Sequence, residues 1–164
     1  MLIQKKTFNR NKEWIDSLPA KTILDIGACN SKACEYFSSF GYFSSFLDMI
    51  DRRKDHCLFS FIQHDISKIP WPIDKKYDLF VCSHILEHLL KDDIKKVLIE
   101  IDRLPHNCIV TVPSFGCDDH FTVEDSEWWL SFLNNNSKFQ WKITNIIEQN
   151  GVAIHTDLIT IGVK

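Results

Sequence analysis

No apolar run in this chain reaches the roughly 20 residues that a bilayer-spanning helix needs, and the opening MLIQKKTFNRNK has no signal-type hydrophobic region, so neither membrane insertion nor secretion is expected. An excess of charge of one sign is missing as well. Nineteen Lys and Arg stand against 22 Asp and Glu, a formal net charge of −3. The short basic clusters (Lys5, Lys6, Arg10 and Lys12; Arg52, Arg53 and Lys54) are broken up by acids and apolar stretches and read as solvated faces. No extended nucleic-acid groove is expected from that pattern. The six cysteines (Cys29, Cys34, Cys57, Cys82, Cys108, Cys117) include no C-x-x-C pair, and several fall inside apolar runs. This is the usage of reduced, packed thiols and suggests a cytoplasmic protein. Internal repeats and low-complexity segments are absent too. With 45% hydrophobic residues, the 164 positions fit one compact domain, residues 1–164, with a core of its own.

What is present is an alternation of strands and helices. KEWIDSLP predicts a short helix closed by Pro19, and KTILDIG an apolar strand ending in an acid and a glycine. In SKACEYFSSF, Ala33, Tyr36, Phe37 and Phe40 recur at i, i+3, i+4, i+7, the stripe of a helix packed on one face, with Ser31 as its N-cap. Gly41 breaks it. YFSSFLD, LFSFIQHD and KKYDLFVCS then read as strands two to four, ending at Asp48, Asp65 and Ser83. DDIKKVLIEIDRL is a helix with Ile94, Val97, Leu98 and Ile101 on one stripe, NCIVTVP a fifth strand, and EDSEWWLSFLN another helix. The tail has two β-rich runs joined at Asn150-Gly151, a hairpin signal. Such an order predicts a parallel sheet with helices on both faces, finished by an antiparallel hairpin.

In open α/β sheets ligands bind at the carboxyl ends of the strands, beside the switch point. Asp25 and Gly27 close strand one, where a turn and a helix start bring N–H groups to a ligand. Asp48 closes strand two, about 20 residues further on, where an acid can accept hydrogen bonds from ribose hydroxyls. Asp65 closes strand three and can meet an adenine edge.

The pieces ILDIGACNSKACEYF, FLDMID, FIQHDISKIPW and KKYDLFVCSHILEHL stand in an order and spacing that resembles the class I S-adenosylmethionine-dependent methyltransferases, from about Thr22 to Leu90. That resemblance implies a Rossmann-like open, mostly parallel sheet with helices on both faces and a C-terminal antiparallel β-hairpin. It implies S-adenosylmethionine as cofactor. The Asp25 to Ser31 turn (Asp25, Gly27, Ala28, Cys29, Asn30) would hold its methionine part, Asp48 its ribose, and Asp65 with the Ile66 backbone its adenine. Met49 is counted with these cofactor-binding residues, and Cys82 and Ser83 would border the reacting methyl. The implied activity is methyl transfer to a small-molecule or sugar-containing acceptor by direct displacement, with the acceptor site open or completed by a second subunit in a homo-oligomer.

The chain departs from the family's D-x-G-x-G-x-G at two positions, where Cys29 and Ser31 replace glycine. Each added Cβ restricts positive φ and crowds a ligand. The alternative reading is therefore a weak or inactive methyltransferase-fold binding or scaffold protein. A nicotinamide enzyme would share the first turn and the acid after strand two, but not QHDISKIPW, YDLFVCSHILEHL or the hairpin.

HILEH, His84 to His88, also matches the H-x-x-E-H pattern of a zinc hydrolase, which would need both imidazoles on one helix face and a third ligand from Asp118, His120 or Glu124. Directly after an apolar strand a loop is expected instead, with Leu86 and Leu89 packing, and no metal is expected. His84 and His88 remain candidate bases at the mouth of the cleft. HFTVEDSEWWLSFL loosely resembles the histidine-bearing segment of methyltransferases acting on small molecules and glycans, which makes His120 the first choice for a substrate-side base. Of the adjacent Trp128 and Trp129, only one can face the core squarely.

Overall fold

The computed structural model describes residues 8–19, 21–27, 36–51, 59–114, 116, 118–149 and 152–163. Its elements are α1 (Lys12–Ser17), β1 (Thr22–Ile26), β2 (Phe43–Asp48), β3 (Ser60–Gln63), β4 (Tyr77–Ser83), α2 (Lys91–Arg103), β5 (Pro105–Pro113), α3 (Ser126–Asn136), β6 (Phe139–Gln149) and β7 (Val152–Val163). They form one seven-stranded sheet in the order β3-β2-β1-β4-β5-β7-β6. β1 pairs in parallel with both β2 and β4, and β4 with β5, while β7 runs antiparallel to β5 and to β6. The mostly parallel sheet with a terminal hairpin is therefore as the sequence predicts. Asn150 and Gly151, the expected turn of that hairpin, lie outside the described residues.

Side-chain alternation splits the core across the two faces of the sheet. Leu24, Ile26, Phe80, Cys82, Cys108 and Val110 point to one face, where they meet Ile94, Val97, Leu98 and Ile101 of α2 and Trp129 and Leu133 of α3. Ile23, Leu79, Val81 and Ile109 point to the other, against Phe8, Ile15 of α1 and Phe37. β strands buried on both sides read as continuous apolar runs, which is why these were conspicuous in sequence. Asp125 caps α3, its side chain accepting from the Trp128 N–H at 2.7 Å. Of the tryptophan pair, Trp129 is buried, whereas Trp128 is half-exposed, stacks on Phe132 and carries the Lys91 ammonium 4.6 Å from its ring.

Three expectations need correction. β3 stops at Gln63, so Asp65 stands two residues past the strand rather than at its end. Its neighbour in the sheet explains the early stop: the last ladder bond, from His64 N–H to the Asp48 carbonyl at 2.9 Å, coincides with the end of β2. Second, Phe40 does not complete a buried stripe; residues 36–38 are helical, the chain turns at 39–41, and Phe40 is 47% exposed. Third, β5 begins at Pro105, two residues before the expected NCIVTVP, because Tyr77 of β4 pairs with it there. Ser31, the expected cap, and Ala33 lie outside the described residues. Among the described residues no helix is long and apolar enough to cross a membrane.

Candidate active site

The parallel strands β1, β2 and β4 deliver their carboxyl ends to one edge, and backbone bonds extend the ladder beyond them. Gly27 N–H donates to the Leu47 carbonyl at 2.8 Å and His84 N–H to the Thr111 carbonyl at 2.9 Å. Gly27 has φ +70°, the left-handed region that favours glycine. A Cβ there would stand 2.0 Å from Ile85 Cδ1, so a side chain at this position would have to displace Ile85, which comes from the segment after β4.

Next to that contact lies a cavity of about 220 Å³ lined by Gly27, Asp48, Met49, Asp65, Ile66, Ile85, His88 and Leu89. A wider depression of about 420 Å³, between Ser38, Tyr42, Phe43 and Phe59 at the start of β2, is lined by no carboxylate, imidazole or thiol. Size favours the second and chemistry the first. Asp48 accepts the Ile50 N–H on Oδ1 at 3.1 Å, and Asp65 accepts the Ser67 N–H and hydroxyl on Oδ1 at 2.9 and 2.8 Å. Oδ2 of each has no hydrogen-bond partner among the described residues. Burial works to raise the Asp65 pKa, but the two Ser67 bonds, with Lys68 and His64 nearby, outweigh it and hold the carboxyl below its ordinary value. It is an ionised acceptor at neutral pH.

Asp25 is different. It is fully buried, and among the described residues neither carboxylate oxygen has a partner. Desolvation, reinforced by the Asp48 charge, pushes its pKa well up. Asp25 does not line the cavity, nor does Ser83, which is buried at the end of β4. Cys82 is buried in the apolar core beneath it, and burial pushes its thiol up. Ala28, Cys29 and Asn30 lie outside the described residues.

HILEH is neither a helix nor an open loop. His84 takes a left-handed conformation at φ 58°, turning the chain out of β4, and Leu86–His88 form one 3-10 turn. The shared helix face that a zinc hydrolase motif requires is therefore absent. His84 instead packs edge-on against the ring of His155 from β7, 4.7 Å between centroids, a neighbour that the antiparallel return of the hairpin supplies and the sequence reading did not name. Leu86 is buried, and Leu89, with Ile85, walls the cavity.

The segment after β5 is fastened onto this turn. Phe121 and Thr122 N–H groups both donate to the Glu87 carbonyl, at 2.8 and 3.0 Å, the Thr122 hydroxyl donates to the Leu89 carbonyl at 2.7 Å, and Lys91 pairs with Glu124 at 2.6 Å. Those bonds carry His120 to His88, ring centroids 4.9 Å apart. Thus His88 borders the cavity, His120 meets His88 without lining it, and His84 stands against Glu87, also outside the lining.

A family model, the methyltransferase domain, matches residues 24–107, more than half of the chain and the whole run from β1 into β5. The chain belongs to this family. It is an enzyme family of the class I S-adenosylmethionine-dependent fold, as the four sequence motifs suggested. No curated protein matches. Among solved structures, the chain is similar to the Burkholderia thailandensis 1,6-didemethyltoxoflavin-N1-methyltransferase, with bound 1,6-didemethyltoxoflavin and S-adenosylhomocysteine, at TM-score 0.76 and 12% identity over 99% of this chain and 79% of that one. It is similar to a S-adenosylmethionine-dependent methyltransferase from Clostridium acetobutylicum at TM-score 0.70 and 14% identity, covering 99% and 93%. The small RNA methyltransferase HEN1 matches at TM-score 0.76 and 13% identity over 98% of this chain, which spans only 25% of that protein. Each likeness is one of fold.

The methyltransferase's cleft fits the family's cofactor on its own chemistry. Two carboxylates, each with an oxygen available, stand at neighbouring strand ends beside an apolar wall of Ile66, Ile85 and Leu89. Such carboxylates suit ribose hydroxyls and an adenine edge, and such a wall suits the flat face of the adenine ring.

Proposed function

We propose that this methyltransferase-fold chain moves the methyl group of S-adenosylmethionine to a nucleophilic oxygen or nitrogen of a small-molecule or sugar-containing acceptor. The observation carrying this reading is the convergence of Gly27, Asp48, Asp65 and Ile66 on one cavity at the carboxyl edge of the sheet. Asp48 would accept the ribose hydroxyls, and Asp65 with Ile66 would meet the adenine. Met49, at the cavity edge and 58% exposed, would cover the sugar. The turn from Asp25 through Gly27, Ala28, Cys29 and Asn30, with Ser83 beside it, would take the amino-acid end, Asp25 shaping the turn from beneath rather than touching the ligand.

The bound sulfonium supplies an electrophilic methyl carbon, so the chain's part is to align the acceptor and receive its proton. Histidine is the side chain suited to the proton at neutral pH. His120, His88 and His84 are the candidate imidazoles, and of the three His88 lines the cavity.

The experiment is thermal denaturation with S-adenosylmethionine and S-adenosylhomocysteine, since a ligand binding only the folded state raises apparent stability. A shift in the parent protein that Asp48→Ala weakens by at least about tenfold in ligand concentration supports the reading. No shift at millimolar ligand overturns it. Cys29 and Ser31, in place of the motif's glycines, favour a second reading, a binding protein without turnover. Cofactor binding with no S-adenosylhomocysteine released across an acceptor panel would select it.

A further inference from the structure

Glu87 is 1% exposed, and among the described residues neither of its carboxylate oxygens has a hydrogen-bond partner; His84 Nδ1 stands 3.3 Å from Oε1 without hydrogen-bond geometry. A buried carboxylate left without partners is costly, and native structures rarely retain one without a function. One ligand atom each from Glu87, His88 and His120 lies within 4.8 Å of the others, the spacing of donors around a single ion. His88 is set up for that role. Its Nδ1 meets the Asp119 carbonyl at 2.9 Å, which fixes the proton on Nδ1 and directs the lone pair to Nε2, the usual way a metal-binding histidine is held. The backbone bonds from Phe121 and Thr122 to Glu87 hold the two halves of the cluster in register.

We propose that Glu87, His88 and His120 bind a divalent transition-metal ion at the rim of the cofactor cleft. Two imidazoles and a carboxylate are a donor set for zinc, manganese or iron rather than for magnesium or calcium. Three protein ligands leave at least one position open, and His88 also lines the cavity, which puts the ion beside the cofactor cleft. If transfer is as proposed above, on which this last step rests, the open position takes an oxygen of the acceptor and orients it toward the methyl. The H-x-x-E-H motif thus contributes its glutamate and its second histidine to an ion, with the third ligand from the loop after β5, and not in the helical zinc hydrolase arrangement.

The test is calorimetric titration of chelator-treated protein with zinc and with manganese chlorides, in parallel with the S-adenosylhomocysteine thermal shift on the same parent sample. Binding of one equivalent, weakened at least tenfold by His120→Ala and by Glu87→Gln with native circular dichroism retained, supports the site. His120→Ala alone decides it if Glu87→Gln does not fold. No saturable binding of either ion, or binding unchanged in His120→Ala, overturns it. A cofactor shift persisting in the parent sample while metal binding is absent rejects the metal alone and leaves the transfer reading standing.

Discussion

Ile85 occupies the space that a side chain on Gly27 would need: its Cδ1 and Cγ1 lie 2.0 and 2.4 Å from the position of that missing Cβ. Gly27→Ala therefore meets two obstacles, the left-handed backbone at φ +70° and the displaced isoleucine. The backbone term alone is about 1–2 kcal/mol. We expect destabilisation by at least that amount in urea titration. Ile85→Ala in the same chain removes the clash but not the backbone strain, so a double-mutant cycle returns a favourable coupling of about 0.5–3 kcal/mol. Additive effects would show that the two segments do not close on each other.

Asp25 sets a pH dependence. Its folded pKa lies well above the ordinary value through burial first and the Asp48 charge second. The folded state consequently holds a proton that the unfolded chain releases near pH 4, and ∂ΔG/∂pH is negative between those two pKa values. The contribution is fully present below about pH 4 and is lost as pH rises through the folded pKa. Asp25→Asn carries no such charge, so its stability falls less than that of the parent across the same window. Urea midpoints at a series of pH values compare the two, and parallel curves would refute the assignment.

How much of this was legible in the sequence depends on what kind of contact fixed each feature. The strands were legible because burial on both faces writes apolar runs such as Leu79 to Cys82 and, broken only by Asp25, Ile23 to Ile26. The α2 stripe was legible because Ile94, Val97, Leu98 and Ile101 face one core. Asp48 and Asp65 were legible as acids at the ends of predicted strands. Glu87 beside His120 was not, because the loop after β5 is fastened through backbone N–H groups of Phe121 and Thr122, which any residue there could provide. Ile85 was not legible either, because its role arises from an absent side chain on Gly27. Phe40 misled because periodicity continued past the turn that Gly41, at φ +83°, completes.

Asp125 gives a local test of α3. It accepts the Trp128 N–H at 2.7 Å, satisfying one of the donors a helix start leaves open. Asp125→Ala should cost about 0.5–2 kcal/mol in urea titration, and Asp125→Ser much less, because a serine hydroxyl caps comparably. Equal losses in the two would mean that the cap is not what holds this helix start.

Asp157 of β7 is fully buried and holds the N-terminal segment to the sheet. Arg10 Nε and Nη2 donate to its two carboxylate oxygens at 2.6 and 2.8 Å, Asn11 Nδ2 donates at 3.2 Å, and the Thr111 hydroxyl at 2.8 Å. The Thr144 hydroxyl in turn donates to Asn11 Oδ1 at 2.7 Å, tying β6 into the same network. Arg10→Met leaves the charge of Asp157 buried on two neutral donors, a loss of about 3 kcal/mol, the low end for a broken buried pair because Arg10 is itself partly exposed. Adding Asp157→Asn removes the charge and keeps the shape, so the double variant should be more stable than Arg10→Met alone. The fully formed pair does not predict that order if its value lies only in attraction; it follows from the cost of an isolated buried carboxylate. Denaturant midpoints of the parent, the two single variants and the double variant decide it, and a double variant less stable than Arg10→Met would show that Asn11 and Thr111 alone sustain the charge.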